Sequence, residues 1–490
     1  MSLSICANCL SRLRLCQAIP RRTTLPATLQ FQTTSFHTSA AREASPLKAK
    51  SSSRGSGPKH RESQSSRLKK KTRERPKLPP VGERRAQRRR IVLSNTNALE
   101  VDGMENWSKE NLIDSELTGK MMGLNGDLLD QLRDAKAFQR TQNWSLFRRP
   151  ATLIRNETIA IGQDLEQVNQ AHEGKTIKHL VVGEKASGKS ILVLQAMCMA
   201  YMNDWIVLNV PDAQEFVNNT SSYTPLKQSD GTQSAGEQLY IQPHLTQQLL
   251  TRAVYSNTSV LESLKLNHEI PQSFALKKKA TLKDLAQLGA DDHNLAWPVW
   301  KAFWRELTES GTNPRPRILF AADNIDHWMG PSKYRNAEHE IIHAQQLTLV
   351  RHFTNLMFSK QTSTPFTNGG MIIFSTTGSN TPAHPTFNVL VRQMRARAQG
   401  ISATSADFPL PTPYSYPDAH ILELAAGSQN VKLTDVNGLS VPESKAYLEY
   451  FVRSGLLQAD ITAGKVAELR SLSGGGVVGE LAKLGSRIRV

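Results

Sequence analysis

Four short apolar runs punctuate the middle of the chain: Ile177–Val182, Trp205–Val210, Arg317–Ala322 and Met371–Phe374. All four are short and rich in large apolar residues; Pro211 stops the second, and Gly369-Gly370 precedes the fourth. Such runs predict buried strands. Between the first two, Ile191–Met202 is long enough, and rich enough in Leu, Ala and Met, to predict a buried helix. Residues 213–315 are mostly helical or irregular. There Trp297, Trp300, Trp304 and Leu307 recur at helical spacing as a core or protein-docking stripe, and Pro298 suits a helix N-terminus. Apolar strands separated by helices predict an α/β fold, a parallel sheet with helices on both faces. Residues 91–170 read as a mixed lead-in with a helical stretch at Leu128–Phe138, 171–412 as the sheet domain, and 413–490 as a smaller C-terminal helical domain with its clearest helix at Pro442–Phe451. The chain has no internal repeat.

The turn between the first strand and the helix carries chemistry. Gly183-Glu-Lys-Ala-Ser-Gly188-Lys189-Ser190 matches G-x-x-x-x-G-K-[ST] at every fixed position, in the strand–loop–helix context the motif requires. Its glycines let successive backbone N–H groups point at a phosphate, Lys189 reaches the β- and γ-phosphates, and Ser190 offers a hydroxyl to Mg²⁺. The helix N-terminus adds a favourable dipole. A phosphate loop of this kind needs a carboxylate at the end of another buried strand, and Asp323 ends the third. The next residue is Asn324, where many ATPases carry a glutamate that activates water; an amide cannot take that proton. Asp326 is the candidate substitute, but it lies two residues further on, where it need not point the same way. Ser375 and Thr376, at the end of the fourth strand, stand where a sensor of the γ-phosphate would lie. Arg392, Arg395 and Arg397 follow on what reads as a solvated helix face. No Asn/Thr-Lys-x-Asp run is present, so no motif decides the base.

A second motif competes. His339-Glu340-Ile-Ile-His343 fits the HExxH pattern, which puts two zinc-binding histidines on one helical face. Catalytic zinc needs a third protein ligand. Gln346 and Leu349 occupy the metzincin Gly and His positions, no Glu occurs between Glu340 and Glu423, and only His352 is a nearby candidate. The expectation is a solvent-facing helix without zinc.

Charge changes the picture at one end only. Of the formal +17, residues 1–90 hold 22 Lys and Arg against four acids, while residues 91–490 hold 38 against 39. The basic excess is a tail, and the body is near neutral. Residues 1–42 are Arg-rich, Ser/Thr-rich and acid-free, the composition of a mitochondrial transit peptide. Residues 43–90 are basic among Ser, Pro and Gly, a disordered extension able to neutralise phosphates. Three of the four cysteines, Cys6, Cys9 and Cys16, lie in the leader; Cys198 alone remains, which fits a reduced compartment. No run approaches the roughly 18 apolar residues of a membrane span.

Taken together, the loop GEKASGKS, the run Trp205-Ile-Val-Leu-Asn-Val-Pro-Asp-Ala213, FAADNIDHWMG at 320–330, Gly369–Ser375 and VPESKAYLEYFVRSGLL at 441–457 resemble one family. This is the mitochondrial small-ribosomal-subunit protein family also called death-associated protein 3, and the similarity covers most of 145–490. The resemblance implies an AAA-like P-loop NTPase fold holding GTP or GDP with Mg²⁺. It implies phosphate contacts at Gly183, Lys185, Ala186, Ser187, Gly188, Lys189 and Ser190, and the acidic strand end at Asp323; the magnesium would rest on Ser190 and, through water, on Asp323. Ser375 joins the site on the sensor argument above. The implied role is a structural component of the mitochondrial small subunit in the matrix, partnered by its rRNA and proteins rather than by copies of itself, with little or no hydrolysis. The alternative is a free mitochondrial AAA-type ATPase or GTPase acting as a remodeller.

Overall fold

The computed structural model describes residues 91–487 apart from 172–173, 227–236, 272–273, 275, 278, 359–364 and 380–383. The leader expected at 1–42 and the basic extension at 43–90 lie outside the described residues. The lead-in contributes β1 (Met121–Gly123), α1 (Gly126–Asp134), β2 (Ala151–Leu153) and α2 (Asn156–Gln170). The sheet region continues with β3 (Thr176–Gly183), α3 (Lys189–Met202) and β4 (Ile206–Val210). A short ribbon of β5 (Thr224–Pro225) and β6 (Tyr240–Ile241) precedes α4 (Pro243–Ser256), α5 (Thr258–Ser263), α6 (Leu282–Asp291) and α7 (His293–Thr308). Then come β7 (Ile318–Ala322), the hairpin β8 (Pro331–Arg335) and β9 (Ile341–His343), α8 (Thr348–Phe358), β10 (Gly370–Ser375), α9 (Pro385–Ala398) and α10 (Ala419–Ala425). The chain closes with β11 (Lys432–Val436), α11 (Val441–Arg453), α12 (Ala463–Leu472) and α13 (Val478–Arg487).

Five strands form one parallel sheet in the order β11-β3-β10-β7-β4. All four strands expected from the apolar runs are in it. Side chains alternate along each strand, so the sheet divides the core in two. Leu180, Val182, Leu208, Phe320 and Phe374 pack with α4 to α9 on one face. Val181, Val207, Leu319, Met371 and Ile373 pack with α2, α3 and the lead-in on the other. Helix α3 is buried along most of its length, as its uniformly apolar sequence requires. A third cluster joins Leu439, Leu448, Phe451, Leu469 and Leu481 of the C-terminal helices to Val101, Phe147 and Leu153 of the lead-in. Among the described residues no helix is long and apolar enough to cross a membrane.

Three expectations need revision. Residues 413–490 are not helical throughout: β11 joins the sheet edge beside β3, pairing Val436 with Gly183. Its sequence hides it, because Lys432 and Asp435 interrupt the apolar pattern, as charges on edge strands do. Helix α7 starts five residues before Pro298, where Asp292 accepts the Asn294 N–H at 2.8 Å; a side-chain N-cap outranks the preference of proline for the first helical position. Trp300 and Leu307 of that helix are buried core, with Trp297 and Trp304 packed against them. Finally, the HExxH segment is not a helix. His339 sits in the turn between β8 and β9 at φ 63°, and His343 ends β9. The hairpin forms because Tyr334 and Ile342 alternate inward into the core while Arg335 and Ile341 face out.

Candidate functional site

The C-terminal ends of β3, β7 and β10 meet at one edge of the sheet, the place where open parallel sheets bind ligands. Because β10 lies between β3 and β7, Phe374 is level with Ala322 and Ser375 with Val181. The residues that follow these strands therefore converge.

The loop after β3 is held in a shape that few sequences tolerate. Ala186 has φ 62° and Gly188 has φ 103°. A Cβ on Gly183 would lie 2.4 Å from the carbonyl oxygen of Val436 and 2.8 Å from Ser187 Oγ. Gly188 caps α3, with Lys189 and Ser190 as its first two residues. Among the described residues, the N–H groups of Lys185, Ala186, Gly188, Lys189 and Ser190 donate to no protein acceptor. The last two belong to the first turn of a helix, where donors are always unpaired within the helix. The Ser187 hydroxyl is buried without a partner. Lys189 is 6% exposed, and its Nζ donates to the Gly183 and Glu184 carbonyls at 2.9 and 2.6 Å. Burial lowers its pKa, while Asp323, Asp326 and Glu184 pull the other way.

Across from the loop, Asp323 is 4% exposed and accepts from three residues. The donors are the Ser375 hydroxyl, the Gln139 side-chain amide at 2.5 Å and the Asn324 N–H at 3.0 Å, and the Ser190 hydroxyl is near enough to draw the Asp323 pKa down. Burial still pushes its carboxyl up, against the pull of those donors. Ser190 and Asp323, which follow separate strands, therefore lie close together. Ser375 is spent on Asp323, and Thr376 donates to the Val181 carbonyl at 3.3 Å. Asn324 takes φ 65° and donates its side-chain amide to Asp212 Oδ1 at 3.2 Å. Asp326 is buried, accepts the Thr377 N–H at 2.5 Å and has its pKa pushed up to about 6, chiefly by burial.

Sequence reasoning missed the residues that hold this edge together. Arg155 is buried beneath the loop, donating to Ser187 O at 3.3 Å and Asn437 O at 3.0 Å, with Glu443 of α11 at 3.8 Å. Gly479, in the first turn of α13, donates its N–H to Ala186 O at 3.0 Å, and a Cβ there would lie 2.6 Å from Ala186 Cβ. Gly378, after β10, approaches equally closely to the Lys185 backbone. The Gly474–Gly476 run was a readable signal of tight backbone near α13; Arg155 and Gln139 carried none. The three arginines of α9 divide: Arg395 forks onto Asp435 of β11, Arg397 donates to Ser428, and Arg392 is exposed.

The donor set suits an anion with a hard cation: unpaired backbone N–H groups, a lysine, and a hydroxyl beside a carboxylate. A surface groove of about 580 Å³ between residues 95–99 and 452–458 shares no residue with this site and is lined by no charged side chain. The HExxH histidines offer no competing centre. His343 pairs with Asp418 at 3.0 Å, His352 packs edge-on to Trp304 at 4.7 Å, and no described group of His, Cys, Asp and Glu is arranged to hold a metal.

Comparison with known proteins gives a consistent answer. The family described as "Mitochondrial ribosomal death-associated protein 3" matches residues 152–484. Small ribosomal subunit protein mS29 of Neurospora crassa is 35% identical over 414 residues, 83% of this chain and 83% of that protein. The proteins of the same name from Mus musculus and Bos taurus are each 21% identical, over 47% and 43% of this chain and 55% and 51% of their own lengths.

Proposed function

The chain belongs to the mitochondrial ribosomal death-associated protein 3 family, and from that premise we propose that it is a structural component of the mitochondrial small ribosomal subunit that holds a guanine nucleotide and Mg²⁺ with little or no hydrolysis. What supports the nucleotide most is a loop with five backbone N–H groups that have no protein acceptor, with Ser190 close to Asp323 at its end. In this reading the backbone of Gly183, Lys185, Ala186, Ser187 and Gly188 wraps the phosphates, as in a P-loop NTPase. Lys189, which donates to the Gly183 and Glu184 carbonyls, would hold phosphate oxygens. Ser190 would ligate magnesium and Asp323 would hold its water shell. Magnesium would neutralise phosphate charge and fix its geometry.

Slow turnover is supported by Asn324, whose amide is committed to Asp212 and cannot accept a proton. A resident ligand needs no turnover to be useful. Binding the folded form alone stabilises it by about 4 kcal/mol when ligand exceeds its dissociation constant a thousandfold. Choice of guanine, and of GTP or GDP, rests on the family resemblance alone.

Two measurements test the proposal. On a gradient of mitochondrial lysate the protein is expected to sediment with the small subunit; migration with free soluble proteins sinks the ribosomal role. Protein extracted under mild conditions is expected to release GTP or GDP. Release of adenine nucleotide, with turnover above about 1 s⁻¹, the low end for enzymes, would restore the remodelling ATPase.

A further inference from the structure

Asp323 is served by a residue from outside the sheet. Gln139 lies 184 positions earlier, in the lead-in, yet its side-chain Nε2 donates to Asp323 Oδ2 at 2.5 Å. The segment that delivers it is fixed at several points. Asn209, near the end of β4, donates to the Ala135 carbonyl at 2.9 Å. Phe138 and Trp144 are buried and meet edge to face at 5.2 Å. The Gln139 N–H donates to Gln142 Oε1 at 2.9 Å, and that oxygen also accepts from Trp144 Nε1. Lys136 turns the chain out of α1 with φ 54°.

We propose that Gln139 is a positioning residue for the magnesium site: it fixes the rotation of the Asp323 carboxylate so that Asp323 can accept from Ser190 and order the metal's water shell. This rests on the nucleotide reading above. A carboxylate offers about four acceptor positions. The Asn324 N–H is the adjoining backbone, and the Ser190 and Ser375 hydroxyls can rotate to follow the carboxylate wherever it turns. Gln139 alone among the side-chain donors is a planar amide on a clamped segment, so it sets the angle and the hydroxyls adapt. Partners one step removed from a metal typically change its affinity by about 10- to 100-fold when lost.

The test is a titration of the full chain with GDP, once in EDTA and once with increasing Mg²⁺. Gln139→Met keeps the side-chain volume and removes the amide. The expected result is GDP affinity in EDTA equal to that of the unsubstituted protein, with the half-saturating Mg²⁺ concentration raised about tenfold or more. Gln139→Asn, whose amide stops one methylene short, is expected to shift in the same direction, and it serves if the Met variant does not fold. A residue that merely pins the lead-in to the sheet would lower the melting temperature and leave the Mg²⁺ dependence unmoved. That outcome overturns the proposal, as does equal loss of GDP affinity with and without Mg²⁺. If the unsubstituted protein binds GDP under neither condition, the nucleotide reading itself falls; if it binds and only the Met and Asn shifts are absent, the failure belongs to Gln139 alone.

Discussion

Two segments of this chain match short motifs at every fixed letter, and they fare differently. Residues 183–190 sit between β3 and α3, where the motif's backbone geometry can form. Residues 339–343 fall in the β8–β9 hairpin, where helical spacing of two histidines has no meaning. Both segments have similar numbers of constrained positions in sequence. The difference lies in their neighbours. The loop is gripped by Val436, Arg155 and Gly479, each approaching its backbone, and it faces Asp323. The hairpin's histidines are occupied separately, His343 with Asp418 and Gln345, and His339 in an exposed turn. A motif is informative when the elements around it have the shape its chemistry assumes.

That contrast can be broken most strongly at Lys189. Lys189→Ala is expected to abolish the stabilisation by added Mg²⁺ and GDP, up to about 4 kcal/mol at a thousandfold ligand excess. Melting curves with and without ligand measure it; a variant as ligand-responsive as the parent would remove the loop from the site.

Next is His352, the histidine that the zinc motif would have needed as third ligand. Burial against Trp304 and Trp300 lowers its pKa to about 4. Its folded pKa lies below the usual 6.5, so the neutral form stabilises the fold above pH 6.5, and that stability is lost as pH falls through about 4. The loss is at most about 3.5 kcal/mol, from roughly 1.4 kcal/mol per unit. His352→Phe is expected to flatten that part of a stability-versus-pH curve. Equal acid sensitivity in both proteins would contradict the assignment.

Asp326 reverses the sign. Its pKa is raised to about 6, so protonation favours the fold; the benefit is complete below about pH 4 and lost as pH rises through 6. Asp326→Asn keeps an acceptor for the Thr377 N–H and removes the buried charge. The nucleotide-free variant is expected to gain up to about 3 kcal/mol at pH 7.5 and nothing at pH 4. A loss at pH 7.5 would mean that the charge is compensated by Lys189 beyond its cost of burial.

The smallest effect belongs to the hairpin. His339→Ala alters an exposed turn and is expected to change stability by less than about 0.5 kcal/mol, with ligand response untouched. Added Zn²⁺ is expected to leave melting unchanged in parent and variant alike. A zinc-dependent rise that His339→Ala removes would restore a metal role for these histidines.

Much was legible in the chain itself. Continuous apolar runs revealed four strands because a strand buried on both faces has no polar side to show. The loop and Asp323 were legible because they directly follow such strands, and the family because several of its runs survive intact. What the sequence could not carry were contacts between distant segments. Gln139 reaches Asp323 across 184 residues, Arg155 reaches Asn437 across 282, and β11 needs the edge of β3 before Lys432-Leu-Thr-Asp-Val436 becomes a strand at all. Local propensity fixes elements whose own side chains supply the burial. Elements and donors whose stability comes from a partner elsewhere are decided only when the sheet assembles and brings that partner within hydrogen-bonding distance.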